Sequence, residues 1–217
     1  MLPLTITVST VARLDEANDL LKQVEEWRNF ARNRHILAFS SPTLSEEKKR
    51  LALDSKNLTQ AIFERIVDDF HCYTIYKAVD GAKNLQGIAF AKIQKGCNRI
   101  EFITTNPHNL AIFPGELAQG GIGKKLVLEV VKDVFHKVKN NKNLFLKTVP
   151  SACKFYSQLG FVRNKNQMKY NILTPLVLSR AKMAEMLSRK EVEKEIILTH
   201  LPPLPLRQRV ANSATPA

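Results

Sequence analysis

Long apolar runs are missing from this sequence. No stretch approaches the roughly 20 residues that a membrane-crossing helix needs, so no membrane span is expected. The start, Met1-Leu2-Pro3-Leu4-Thr5, has no basic region followed by an apolar stretch, so no secretory signal is expected either. Cysteine is scarce. Cys72, Cys97 and Cys153 are odd in number and far apart, which argues against a disulfide framework and against a zinc site. Three reduced thiols in a cytoplasmic protein are expected, with no metal. Aromatic residues make up only 7%, and no nucleic-acid-binding motif is recognisable, which leaves a nucleic-acid module little to stand on. No internal repeat is found.

What remains is ordinary for a soluble domain. The 217 residues are 44% hydrophobic and 24% charged, enough for one good core with appended elements. The net charge of +13 is uneven. Residues 1–80 carry 11 Lys/Arg against 12 Asp/Glu, residues 81–162 carry 12 against 4, and residues 163–217 carry 10 against 4. The basic excess therefore lies in the middle and the tail. Such a surface favours polyanions: nucleic acid, an acidic membrane, or a multiply phosphorylated cofactor.

Leu4 to Val8 alternates and is β-branched, which predicts a first strand. Leu14, Ala17, Leu20, Leu21, Val24 and Trp27 recur at three- and four-residue spacing and predict a helix. Ser40-Ser41-Pro42 breaks it. A second helical stretch begins near Ser45, with Glu46 and Glu47 suited to its first turn, and runs to Phe70 with a break expected near Asp54. Cys72–Val79, Leu85–Ile93 and Arg99–Thr105 read as an antiparallel meander, with Asp80-Gly81 and Lys95-Gly96 at the turns. Ile122 to Lys139 is a clear amphipathic helix, with Leu126, Val130, Val134 and Val138 in four-residue steps. A strand at Leu144–Val149, a short helix at Ser151–Leu159 ended by Gly160, and closing strands from Phe161 and at Met168–Leu173 follow. Ser179 to Leu198 predicts a late helix, separate in character from the rest. The order gives an α+β fold.

Gln119-Gly120-Gly121-Ile122-Gly123-Lys124-Lys125-Leu126 lies between a strand and the strongest helix. A helix N-terminus offers unpaired N–H groups and the positive end of the dipole, and glycine lets backbone approach a phosphate closely. Two familiar phosphate loops do not fit. A Walker loop needs glycine where Ala118 stands and Ser or Thr where Lys125 stands. A dinucleotide fingerprint needs glycine where Leu126 stands.

Arg99 to Val162 resembles the core of the GNAT acetyltransferases. In that family a strand leads into a loop of pattern Arg/Gln-x-x-Gly-x-Gly/Ala that opens a long helix. A further strand follows, then a helix bearing Phe-Tyr, then Gly-Phe. Gly121-Ile122-Gly123 matches the glycines, and Phe155-Tyr156-Ser157-Gln158-Leu159-Gly160-Phe161 matches the second signature. Thr105-Asn106-Pro107-His108-Asn109 looks like the strand end of an uncharacterised branch. The resemblance departs at Ala118, where the pattern wants Arg or Gln, with Gln119 one place late. It departs again in the insert Leu110–Leu117, and at Val149, where many members carry asparagine.

The resemblance implies a mixed, largely antiparallel central sheet flanked by helices. It implies an acetyltransferase domain at residues 1–175, with its motif core at 99–162. Residues 176–200 would then be a helical extension and residues 201–217 a proline-rich disordered tail. It also implies transfer of acetyl from acetyl-CoA to a primary amine by direct attack, with no metal. Backbone at Ile103, Thr104 and Thr105 would pair with the cofactor's pantetheine arm, and the amides of Gln119, Gly120, Gly121, Ile122, Gly123 and Lys124 would hold its pyrophosphate. Tyr156 is the candidate general acid, since a phenol with a pKa of about 10 keeps its proton at neutral pH. Glu101 is the candidate base, on the premise that strict alternation puts it on one strand face with Ile103 and Thr105. His108 and Cys153 are weaker candidates, better read as a solvated loop histidine and a structural thiol. Asp68 and Asp69 offer negative charge to a cationic acceptor of unread type.

Two other readings follow from the same residues. Ala118 and Val149 motivate a catalytically inactive acyl-CoA-binding module, and the basic centre and tail motivate a nucleic-acid-binding protein whose affinity would fall steeply with salt. Pro202-Pro203-Leu204-Pro205-Leu206-Arg207 fits the pattern that docks in SH3-type grooves.

Overall fold

The computed structural model describes residues 6–11, 14–94, 97–137, 143–164 and 173–199. Seven strands form one sheet: β1 (Thr7–Val11), β2 (Thr74–Val79), β3 (Leu85–Gln94), β4 (Cys97–Thr105), β5 (Leu144–Thr148), β6 (Val162–Arg163) and β7 (Thr174–Leu178). Their order is β1-β2-β3-β4-β5-β7-β6. Every neighbouring pair is antiparallel except β4 and β5, which run parallel. Among the described residues five α-helices flank the sheet: α1 (Leu14–Ser40), α2 (Glu46–Asp69), α3 (Ile122–Lys137), α4 (Cys153–Gln158) and α5 (Arg180–Thr199). The fold is α+β, with a mixed and largely antiparallel sheet between helical layers.

Each face has its own core. On one face α3 lays down Leu126, Val127, Val130, Val131 and Val134, all buried, against Ala89, Ala91, Ile100 and Leu146. The small alanines of β3 let the branched side chains of α3 sit close to the strand. On the other face α1 brings Leu20, Val24 and Trp27, and α2 brings Ile62 and Ile66, onto Ile75, Ile88 and Phe90. Strand alternation sends neighbouring residues of β2 and β3 to opposite cores. A third, small cluster joins Ala38, Leu44 and Ala52 to Ile112, where the segment before α3 folds back over the α1–α2 corner.

Several expectations are corrected. Of the strand expected at Leu4–Val8, residues 4–5 lie outside the described residues; the described strand is Thr7–Val11, which runs three residues further than expected to place Val11 opposite Ile75. α2 runs through Asp54 without a break. Ser45 caps it by accepting from the Lys48 amide at 3.4 Å, and a carboxylate in a helix interior costs too little to interrupt 24 residues. Of the strand expected at Met168–Leu173, residues 168–172 lie outside the described residues, and Leu173 is not in a strand. The strand that closes the sheet is β7, between β5 and the two-residue β6. Pro175 masked it in the sequence, since proline gives no ladder donor, but next to the strand's first residue this is tolerated. The expected domain limit at residue 175 therefore cuts a sheet strand. α5 is not separate either: Met183 is fully buried in the α3-side core, with Met186 and Leu187 packed beside it. Residues 1–5, the side chains of 190–199 and the tail from 200 lie outside the described residues, so the proline-rich motif does too. No helix among the described residues is long and apolar enough to cross a membrane.

Candidate active site

β4 and β5 pair at only two positions, Arg99 with Phe145 and Ile100 with Leu146. The cause lies on the other edge of β4. Its pairing with β3 jumps from Phe90↔Phe102 to Ala91↔Ile100, leaving Glu101 as an extra residue. Such a bulge bends its strand and breaks the ladder locally. Past it, the backbone of Ile103–Thr105 pairs with β3 on one side and, among the described residues, has no strand partner on the other. The two parallel strands diverge and open a wedge in the middle of the sheet.

A cavity of about 300 Å³ fills that wedge. Ile103, Thr104 and Thr105 line it from β4, and Gln119, Gly121, Ile122 and Gly123 from the turn that opens α3. Val149 and Ser151 line it beyond β5, and Phe155 and Tyr156 from α4. On the opposite face of the sheet α2 adds Leu51, Asp54, Ser55 and Leu58. The cavity thus passes between the helical layers.

The glycine turn has the geometry an anion requires. Gly121 has φ +88°, a conformation L side chains rarely adopt, and open space where a Cβ would stand. The first α-helical bond here is donated by the Lys125 amide to the Gly121 carbonyl at 3.0 Å, so the amides of Ile122, Gly123 and Lys124 have no intrahelical partner. At Gly123 a Cβ would stand 3.3 Å from Phe155 Cζ. The two sequence signatures therefore meet in space: the glycine lets α3 start against the aromatic of α4. These free amides, the dipole end and the absent side chains fit a pyrophosphate group.

Tyr156 is 4% exposed, packed edge-on between Phe155 (ring centroids 4.9 Å) and Phe161 (5.7 Å). Burial raises its pKa well above the ordinary phenol value, so the proton stays on oxygen across the physiological range. Not every candidate gathers here. Gly120 is exposed and outside the cavity lining, and Lys124 faces a second cleft of about 290 Å³ between α3, α4 and α5, with Lys182, Glu185 and Arg189. Glu101 does not line the cavity. The bulge cancels the strict alternation on which its assignment rested, and its carboxylate accepts from Arg99 instead. Asp68 and Asp69 end α2 away from the cavity lining, Asp69 paired with Arg65. His108 stacks on Phe30 with ring centroids 3.5 Å apart, and Cys153 donates weakly to the Val149 carbonyl.

The family resemblance implies a groove lined by residues 10–70 and 163–174, but no single residue of the α2 wall, and nothing of the support of the insert, was picked out from the sequence. The buried stripe of α2 reads Ala52, Ser55, Thr59, Ile62, Ile66. Small and polar residues at helical spacing where leucine would be expected were the available signal for a cavity. Arg34 occupies a place in the buried stripe of α1, between Ala31 and Ala38. Its guanidinium donates to the Leu110 carbonyl at 3.2 Å and pairs with Glu116. Glu116 in turn accepts from the amides of Ile112 and Phe113, both at 2.9 Å. This clamp fixes residues 107–116, and the Gln119 amide then donates to the Asn109 carbonyl at 3.0 Å, setting the start of the glycine turn. Among the described residues no three His, Cys, Asp or Glu side chains cluster as a metal site.

No family model matches the sequence, and no curated protein does. Solved structures of acetyltransferases are similar to the chain. One is the PaiA N-acetyltransferase of Thermoplasma acidophilum in complex with coenzyme A, at 16% identity, covering 81% of this chain and 99% of that one with a TM-score of 0.49. Another is the spermidine N-acetyltransferase of Vibrio cholerae in complex with CoA and spermine, at 18% identity, 82% and 98% coverage and a TM-score of 0.46. A third, from Desulfovibrio desulfuricans, is assigned to the GNAT family of acetyltransferases, at 17% identity, 81% and 99% coverage and a TM-score of 0.44.

Proposed function

We propose that this chain is a GNAT-type N-acetyltransferase that uses acetyl-CoA to acetylate a primary amine by direct attack. One observation carries the reading. A single cavity joins an unpaired strand edge, an anion-ready helix N-terminus and a buried, protonated tyrosine. The free backbone of Ile103–Thr105 is suited to pair with a linear amide-bearing arm as an added strand would. The amides opening α3 are suited to its pyrophosphate, with Lys124 and Lys125 adding attraction at longer range. When bound, acetyl-CoA supplies the acetyl group as a thioester.

The residues then have defined tasks. The walls from Ile103, Leu110 and Phe155 keep bulk water from the reacting carbonyl. The acceptor ammonium first loses a proton to solvent. Its nitrogen forms the bond to the acetyl carbon as the carbon–sulfur bond breaks, and Tyr156 gives its proton to the leaving sulfur. One of the two protons left on the nitrogen then departs and Tyr156 is reprotonated through solvent, so the amide keeps one N–H and one proton is released overall.

The test is calorimetric titration of CoA and acetyl-CoA into the parent chain and a Gly121→Asp variant. Saturable binding by the parent, lost in the variant, is expected, because the new side chain is both strained at this φ and like-charged to pyrophosphate. Tyr156→Phe should keep binding and lose turnover by about 10²-fold or more, the usual worth of a positioned acid. Binding without turnover on any amine would leave the inactive acyl-CoA-binding module. A folded parent that binds neither ligand would overturn the cofactor site.

A further inference from the structure

The α2 wall of the cavity is chemically unlike the rest. Asp54 is the only charged residue in the lining among the described residues; Leu51 and Leu58 flank it on its own helix, and Leu110 also lines the cavity. Next to it the Ser55 hydroxyl is buried, with the residue 5% exposed, and has no hydrogen-bond partner among the described residues. That is unusual for serine inside a helix, whose hydroxyl normally donates to a carbonyl one turn back. Thr59, one turn on, does this, donating to the Ser55 carbonyl at 2.9 Å. A buried polar group left unpaired is costly, so a partner from outside the chain is indicated. The Asp54 carboxylate accepts from Ser151 Oγ and still has lone pairs to offer.

We propose that Asp54 and Ser55 form the subsite for the acceptor nitrogen, and that the acceptor is an unhindered alkyl ammonium. This rests on the acetyl-transfer reading and gives it a substrate class. The carboxylate takes the cationic nitrogen on arrival, and one of its N–H groups donates a hydrogen bond to Ser55 Oγ. Carbon attached to that nitrogen meets leucine, so an aliphatic chain fits and a polyhydroxylated amino sugar does not, since its hydroxyls would be buried unpaired. The subsite enters from the face opposite α3, so the amine and the anion-binding turn approach the wedge from different sides.

The experiment uses the full chain as parent, Asp54→Asn and Ser55→Ala. CoA affinity is read by calorimetry. Acetylation at pH 7 is followed by thiol release with n-butylamine, which is an ammonium, with methoxyamine, which is largely uncharged, and with kanamycin. Expected are unchanged CoA affinity in both variants and a KM for n-butylamine raised about tenfold or more in Asp54→Asn, the loss typical of a hydrogen bond to a charged group. Methoxyamine turnover should stay as in the parent, a split that a merely structural aspartate would not give. Ser55→Ala should raise the n-butylamine KM by a smaller factor. An unchanged n-butylamine KM in Asp54→Asn, equal losses on both small amines, or a parent that prefers kanamycin would each overturn the subsite while leaving the CoA reading intact. A parent that does not bind CoA would sink the acetyl-transfer reading first. If Asp54→Asn does not fold, Asp54→Ser, which also removes the charge, replaces it, with the same split between charged and uncharged amine expected.

Discussion

Arg34 shows how a single buried charge organises a loop. It holds Glu116 and two loop carbonyls from inside a helix stripe that is otherwise apolar. Burial works against ionisation of Glu116, but the amides of Phe113 and Ile112 and the guanidinium hold its pKa below the usual carboxylate value. A depressed pKa in the folded state adds stability that is complete above the unfolded value of about 4.3 and is lost as pH falls through the folded value. Arg34→Met should therefore cost about 1–3 kcal/mol at pH 7, the range for stranding a partly buried partner. Urea midpoints at pH 7 and pH 3 should show the gap between parent and variant narrowing in acid. An equal gap at both values would rule out the clamp. Little of this was legible in the sequence, because Arg34 and Glu116 lie 82 residues apart and each alone reads as a solvated surface charge. Local spacing placed Gly121 at a turn and Tyr156 on a short helix before any contact was known, while the roles given to them came from the family resemblance.

At the scale of elements, the seat of α3 depends on Gly87 in β3. A Cβ there would stand 2.7 Å from Ile122 Cγ2, 2.9 Å from Leu126 Cδ1 and 3.3 Å from the Thr104 carbonyl oxygen. Ile122 and Thr104 both line the cavity, so relief of the clash has to move the site. Gly87→Ala should cost about 1–3 kcal/mol, as overpacking generally does, and weaken CoA binding together with stability. Denaturation and calorimetry on one preparation would check it; a loss of stability at full affinity would mean that α3 yields elsewhere. Helices α1, α2 and α3 were legible because periodicity is local. β7 and the docking of α5 were not, because both are decided by partners far along the chain: Leu146 opposite Leu176, and α3 beneath Met183.

At the scale of the whole molecule, the cavity is the place where the α3-side core and the small cluster at the α1–α2 corner both supply walls, Ile122 and Tyr156 from the first and Leu51 and Leu110 from the second. A ligand bound there should tie the layers into one unfolding unit. At a CoA concentration about 100 times Kd, mass action adds about 2.7 kcal/mol. For a chain of this size that should raise Tm by roughly 5–10 °C. The scan should show one transition moving as a whole; two transitions, with only one shifting, would mean that the ligand touches a single layer.

Glu101 changes the parity of β4. Residues before it and after it count odd and even differently, which is why Ile100 and Ile103, three apart, share the α3-side core while Phe102 joins the other. Side-chain identity has no part in that count. Position 101 should therefore tolerate many amino acids, yet losing one codon there would turn half the strand over and let β4 and β5 run on together. The wedge is thus encoded less by a kind of residue than by a number of residues, and an indel is its natural enemy.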